Sequence, residues 1–178
     1  MVDDAVYPSS PDVKRRVIAA ICMLYRYDRE LLDTDANERS ITHKLAEYLQ
    51  REFTGWNVDC EYNRLGYDPK RVRIDSWRVQ ANDTEAKTVF PDIIIHRRLA
   101  KKNLIVIEVK KAGGAEETRD VQKLQEFTRT PEYKYDYGLF LRLAPDGRSE
   151  MTLYQNGSCP TDWTGDLRRA LQELGYVV

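Results

Sequence analysis

Residues 89 to 111, VFPDIIIHRRLAKKNLIVIEVKK, decide the reading of this chain. Two apolar runs, around Ile93 to Ile95 and Leu104 to Ile107, have the length and β-branched content of buried strands, and a basic turn joins them. Each run carries charge where burial makes ions costly. Asp92 heads the first; Glu108 and Lys110 end the second. Period-two alternation puts Leu104, Val106, Glu108 and Lys110 on one face and Ile105, Ile107 and Val109 on the other. Both faces start apolar, which predicts a central strand. Asp92 follows Pro91, which has no N–H for a ladder and belongs at a strand's first residue. If the two strands form an antiparallel hairpin, the start of one meets the end of the other, and Asp92 lies near Glu108 and Lys110.

Outward from this hairpin, Ser10-Pro11-Asp12 reads as an N-cap with Pro in the first turn, opening a long first helix with Val17, Ile21, Leu24, Tyr25, Leu31 and Leu32 on its apolar stripe. A second helix is predicted over 36–53, with Ile41, Leu45, Tyr48, Leu49 and Phe53 on one face and Gly55 just past its end. A strand over WNVDCEYNR (56–64) follows. Residues 65–88 are polar, with a strand available in RVRIDSWRV (71–79), and read as an excursion from the core. Beyond the hairpin, Gly113-Gly114 opens a helix over ETRDVQKLQEFTR (117–129) with Val121, Leu124 and Phe127 inward. Strands over YDYGLFLRL (135–143) and EMTLYQ (150–155) and a final helix over DWTGDLRRALQEL (162–174) complete the chain. From the second helix onward the order is helix, three strands, helix, strand: an α/β or α+β mixed sheet with helices packed on it. No internal repeat is present.

With 178 residues, 42% hydrophobic and 32% charged, the chain is expected to be one globular domain. Its mean hydropathy is -0.63. The longest apolar run, Val17 to Tyr25, is too short to span a membrane, so no membrane partner is expected. Three scattered cysteines, Cys22, Cys60 and Cys159, suggest neither a disulfide framework nor a zinc site and fit a reducing cytoplasm. The net charge of -1 gives no global attraction to nucleic acid, but from Asp92 to Lys111 six basic residues face two acids. Charge alone offers Arg97, Arg98, Lys101, Lys102 and Lys111 as contacts to phosphates; solvated charge in a hairpin loop explains 97–102 equally well.

Two carboxylates held close repel unless a proton or cation intervenes. Oxygen-only ligands select a hard divalent ion, Mg²⁺ or Mn²⁺, which also accepts phosphate oxygens. An adjacent ammonium would orient or activate water, or neutralise charge developing on phosphorus.

Pro91-Asp92 followed after fifteen residues by Glu108-Val109-Lys110 resembles the signature of the PD-(D/E)XK nuclease superfamily, whose restriction-endonuclease-like core also runs helix, three strands, helix, strand. The resemblance spans residues 36–143, with 1–35 and 144–178 as decorations. It implies that Asp92 and Glu108 ligate the metal, with the backbone carbonyl of Val109 as a further ligand, and that Lys110 positions or activates the attacking water. Many relatives add a carboxylate from the first core helix, where Glu38 is the matching residue, on the stripe of Ile41, Leu45 and Leu49. Gln122 and Lys123 lie where some relatives place a residue that assists the metal site or the phosphate; ordinary solvent exposure is the simpler expectation. The implied function is a Mg²⁺-dependent nuclease, an endonuclease, on nucleic acid with DNA preferred over RNA. Cutting both strands of a duplex would call for a homodimer or a partner protein.

Rival readings stand beside these. Asp35 to Glu38 has capping-box spacing, so Glu38 could serve only its helix. Glu108 and Lys110 could be a surface ion pair of little energetic weight. The whole fold could serve as a catalytically silent nucleic-acid-binding or complex-forming module, or as another phosphate-handling enzyme. His43 and His96 have no partner at metal spacing and are expected at the surface. No Q-x-x-x-Y pattern of the RecB-like branch follows the hairpin, and no Walker, dinucleotide-binding or G-x-S-x-G motif occurs.

Overall fold

The structure is a computed structural model that describes residues 7–34, 36–62, 64–65, 68–69, 90–98, 100, 102–113, 117–158 and 160–176. The strand expected in 71–79 and Lys101 lie outside the described residues, as does Asp35. In chain order the elements are α1 (Ser10–Tyr27), α2 (Glu30–Asp33), α3 (Glu38–Glu52), β1 (Asn57–Cys60), β2 (Arg64–Leu65), β3 (Asp68–Pro69), β4 (Ile93–Arg97), β5 (Lys102–Lys111), α4 (Glu117–Arg129), β6 (Tyr137–Leu143), β7 (Glu150–Tyr154), β8 (Thr161–Asp162) and α5 (Thr164–Glu173). The six-stranded sheet has the order β1-β4-β5-β6-β7-β8, and β2 and β3 form a separate two-stranded ribbon. Every pair in the sheet is antiparallel except β5 with β6. That parallel pair needs a crossover, which α4 supplies. The chain is therefore a mixed α/β fold.

Two apolar clusters make three layers. On one face, Ile93, Ile95, Ile105, Ile107, Val109, Leu139 and Leu141 of the sheet pack with the buried stripes of α1, α3 and α5. On the other, Ile94, Val106 and Phe140 pack with Leu124 and Phe127 of α4. Val121, expected inward, is only partly buried at the edge of this second cluster. Close approach of α4 to the sheet depends on Gly138 in β6: a Cβ there would meet Thr128 Cγ2 at 3.1 Å and Leu124 Cβ at 3.3 Å.

Three local expectations need correction. The N-cap of α1 is Ser9, not Ser10: Ser9 Oγ accepts from the Asp12 N–H, and Asp12 returns the bond to the Ser9 N–H. The helix also stops at Tyr27, with Asp28 at φ -135°, so Leu31 and Leu32 belong to the separate turn α2. The strict alternation read along β5 fails at Leu104. Ladder partners run Ile95↔Ile105 and then His96↔Asn103, so Leu104 is an extra, bulged residue. It joins Ile105 on the α1/α3 face, and Asn103 instead reaches the Tyr133 carbonyl with its side-chain amide at 2.5 Å. Beyond the bulge, alternation holds.

Candidate active site

The site forms where β4 begins and β5 is about to leave the sheet. Continuing the register from Ile93↔Ile107 would set Pro91 opposite Val109. Proline has no N–H to give the Val109 carbonyl, and the ladder ends there. Asp92 takes over part of that role: its Oδ2 accepts the Val109 N–H at 2.8 Å, while its own carbonyl accepts from the Glu61 N–H at 3.1 Å. In an extended strand a residue's N–H and C=O leave on the same edge, so the Val109 carbonyl points toward Asp92 as well. The hairpin thus brings Asp92 to the end of β5, as the sequence implies.

Glu108 faces the α4 layer and is 1% exposed. Its Oε2 lies 3.2 Å from Lys123 Nζ. Its Oε1 is buried with no hydrogen-bond partner. Burial first, then the charge of Asp92, push the Glu108 carboxyl well above its ordinary range against the pull of Lys123. Burial also raises Asp92, opposed by the Val109 N–H and by Lys123 and Lys110. The surface ion pair proposed for Glu108 and Lys110 is therefore not what the structure holds: Glu108 is in the interior, and its cation is Lys123.

Lys110 Nζ lies 3.1 Å from Asp120 Oδ2 and 3.6 Å from Glu38 Oε2. Burial works against its ammonium, but the bond and charge of Asp120 and the charges of Glu38 and Asp92 outweigh this and hold its pKa above the ordinary value. Lys110 consequently carries its proton at neutral pH. Glu38 is released from the capping role. Asn37 is the N-cap of α3, its Oδ1 accepting from the Ser40 N–H at 2.9 Å. Glu38 Oε1 instead accepts the Lys111 N–H at 3.4 Å, so the first core helix does deliver a carboxylate to the end of β5. A cleft of about 480 Å³ opens beside it, lined in part by Glu38, Thr42, Cys60, Glu61 and Asp92.

Lys123, expected in solvent, is inside the cluster, with Nζ 2.7 Å from Asp120 Oδ1. Gln122, beside it, is partly buried. Asp120 was missed by sequence reasoning. It is 4% exposed and binds both lysines, one through each oxygen. The signal was present: Asp120, Leu124 and Phe127 share one stripe of α4, and a charged residue on an apolar stripe marks a buried partner. Among the described residues no three His, Cys, Asp or Glu side chains close on one point as a filled metal site would; lysine ammoniums lie between the acids.

The basic turn is elsewhere. Arg97 and Arg98 close β4 at the end opposite Asp92, about 17 and about 20 Å away at 3.4 Å per residue. The Arg97 guanidinium lies 4.8 Å from the Trp56 ring centre. Arg98 is paired with Asp59, its Nε 3.1 Å from Oδ2. Lys102 begins β5 beside Arg97 and is exposed. Of the four described basic residues read as phosphate contacts, only Lys111 is at the acidic end, and its Nζ donates to the Ala36 carbonyl at 3.0 Å. His96 is a correction too. It is 5% exposed, and its Nε2 lies 2.7 Å from Asp59 Oδ2, diagonally across the β1–β4 ladder. His43 is at the surface beside Glu47, as expected.

No family model, curated protein or solved structure matches this chain. Among the described residues no helix is long and apolar enough to cross a membrane.

Proposed function

We propose that the chain is a metal-dependent nuclease of the PD-(D/E)XK kind, hydrolysing phosphodiester bonds with DNA as the preferred substrate. The observation that carries this reading is Glu108, a carboxylate in the interior whose Oε1 has no hydrogen-bond partner and which feels the negative charge of Asp92 more strongly than that of Asp120. A buried, unsatisfied carboxylate oxygen beside a second carboxylate is costly, and such a cost is expected where a cation is to bind. The order α3, three sheet strands, α4, β6 agrees with the core that the resemblance implies.

The donor set fits a hard ion such as Mg²⁺ or Mn²⁺. Glu108 Oε1, the second oxygen of Asp92 and the Val109 carbonyl would hold it, with Glu38 at hand. When bound, the ion supplies positive charge to phosphoryl oxygens and eases the loss of a proton from water. Lys110, protonated and steadied by Asp120 and Glu38, donates to the attacking water or to a phosphoryl oxygen and cannot itself be the base. In the reaction the water oxygen bonds to phosphorus and the P–O3′ bond breaks. The products are a 5′-phosphate and a 3′-hydroxyl, the proton passing through solvent to the leaving oxygen.

The test is divalent-dependent cutting of mixed DNA and RNA substrates by wild type, Asp92→Ala and Lys110→Met. Cutting that needs Mg²⁺ or Mn²⁺ and falls about 10²-fold or more in folded variants supports the reading. One observation favours the silent binding module instead: Lys110 and Lys123 already neutralise the acids without a metal. Nucleic-acid binding without cutting at any divalent concentration would decide for that module.

A further inference from the structure

Lys123 and Asp120 have no task in the chemistry just described, yet Asp120 is buried in the cluster and Lys123 is partly buried beside it. Lys123 Nζ spans two acids, 3.2 Å from Glu108 Oε2 on β5 and 2.7 Å from Asp120 Oδ1 on its own helix. The shorter contact is local, one turn back along α4, and survives any loss of the longer one. Asp120 uses its other oxygen for Lys110 at 3.1 Å, so it can keep both ammoniums at once. Glu108 has no such second partner. Without Lys123 its charge would be buried against Asp92 with nothing opposite; with Lys123 fixed in place, a divalent cation would meet a positive charge at one of its ligands.

From this geometry we infer that Lys123 is the resident counter-ion of Glu108, holding the place of the divalent cation in the metal-free protein and withdrawing onto Asp120 when the cation enters. The inference rests on the metal-site reading above. Asp120 is a positioning residue: it keeps the displaced ammonium from leaving the helix face and steadies Lys110 throughout. Only the ion pair to Glu108 is exchanged, and the fold need not move.

The experiment measures Mn²⁺ binding by calorimetry, with melting temperatures in chelator and in Mn²⁺, on wild type, Lys123→Met, Lys123→Arg, Asp120→Asn and the Asp120→Asn/Lys123→Met double variant. Lys123→Met should melt below wild type in chelator but bind Mn²⁺ about tenfold more tightly, so that Mn²⁺ raises its melting temperature more than it raises that of wild type. Lys123→Arg should stay close to wild type in affinity. Asp120→Asn should weaken binding, and that penalty should shrink when Lys123 is also Met, because part of it is the loss of the place to which Lys123 withdraws. Wild type that binds Mn²⁺ while Lys123→Met binds it no more tightly overturns this inference alone. Absence of Mn²⁺ uptake by every variant overturns the metal-site reading and this inference together.

Discussion

Replacing Glu108 by Gln should stabilise the protein when metal is withheld, although it removes the residue most central to the proposed chemistry. The side chain is 1% exposed, its Oε2 has Lys123 at 3.2 Å and its Oε1 has no partner. Glutamine keeps an oxygen for Lys123 and loses only the charge assistance, about 1 kcal/mol. Its amide group would stand where the orphan oxygen was and face Asp92 as a donor, removing a like-charge contact and a desolvation cost of about 1–3 kcal/mol. The net gain centres on about 1 kcal/mol and reaches at most about 2, so about 2–4 °C in melting temperature is expected for a chain of this length. The pH dependence follows from the raised carboxyl. The folded protein keeps the Glu108 proton above the ordinary value of 4.5, so it binds more protons than the unfolded chain from there up to its own raised pKa. Wild-type stability therefore falls as pH rises through that window, and the advantage of Glu108→Gln is absent below it and full above it. Thermal melts in chelator at a series of pH values from 4 upward check this. A variant that never melts above wild type as pH rises, or whose advantage is already as large at pH 4, would refute the reasoning.

Other consequences can be measured separately. Asp120→Ala leaves two ammoniums without their shared buried partner and should cost about 3 kcal/mol, read as a loss of about 6–12 °C in melting temperature. Gly138→Ala, with Thr128 Cγ2 at 3.1 Å from the new methyl, should destabilise by about 1–3 kcal/mol in urea denaturation by pushing α4 off the sheet. If the chain cuts DNA, Arg98→Ala should matter only for duplexes that extend about 6 base pairs past the cut, since about 20 Å separates that residue from Asp92 and each base pair adds about 3.4 Å. Equal dependence on Arg98 for shorter flanks, measured as cutting rate, would show that the turn reaches the site by another route.

The placing of Asp92, Glu108 and Lys110 was legible because it follows from local rules: proline ends a ladder, alternation sets parity, and a short turn folds the strands together. Asp120 and Lys123 were less so. Their meaning depends on which helix face meets β5, and the stripe of Leu124 and Phe127 masks a charged member unless each polar residue on it is questioned. The partners of His96 and Arg98 come from Asp59 in β1, across a register that neither strand contains alone. The basic run does not form one patch, because counting charge along the chain merged the two ends of one hairpin. Glu38 could not be resolved from sequence, since Asn37 and Asp35 are equally good caps on paper and only the start of α3 chooses between them.

The additional residue at Leu104 works as a phase adjuster for everything after it. Deleting Leu104 would let β4 and β5 zip without a slip, keep Glu108 turned toward α4, and sacrifice one apolar side chain. Deleting Val106 or Ile107, a change of the same length, would rotate Glu108 to the opposite side, into the apolar cluster of Ile93 and Leu139. Length variation in this hairpin is thus tolerable on one side of the bulge and ruinous on the other.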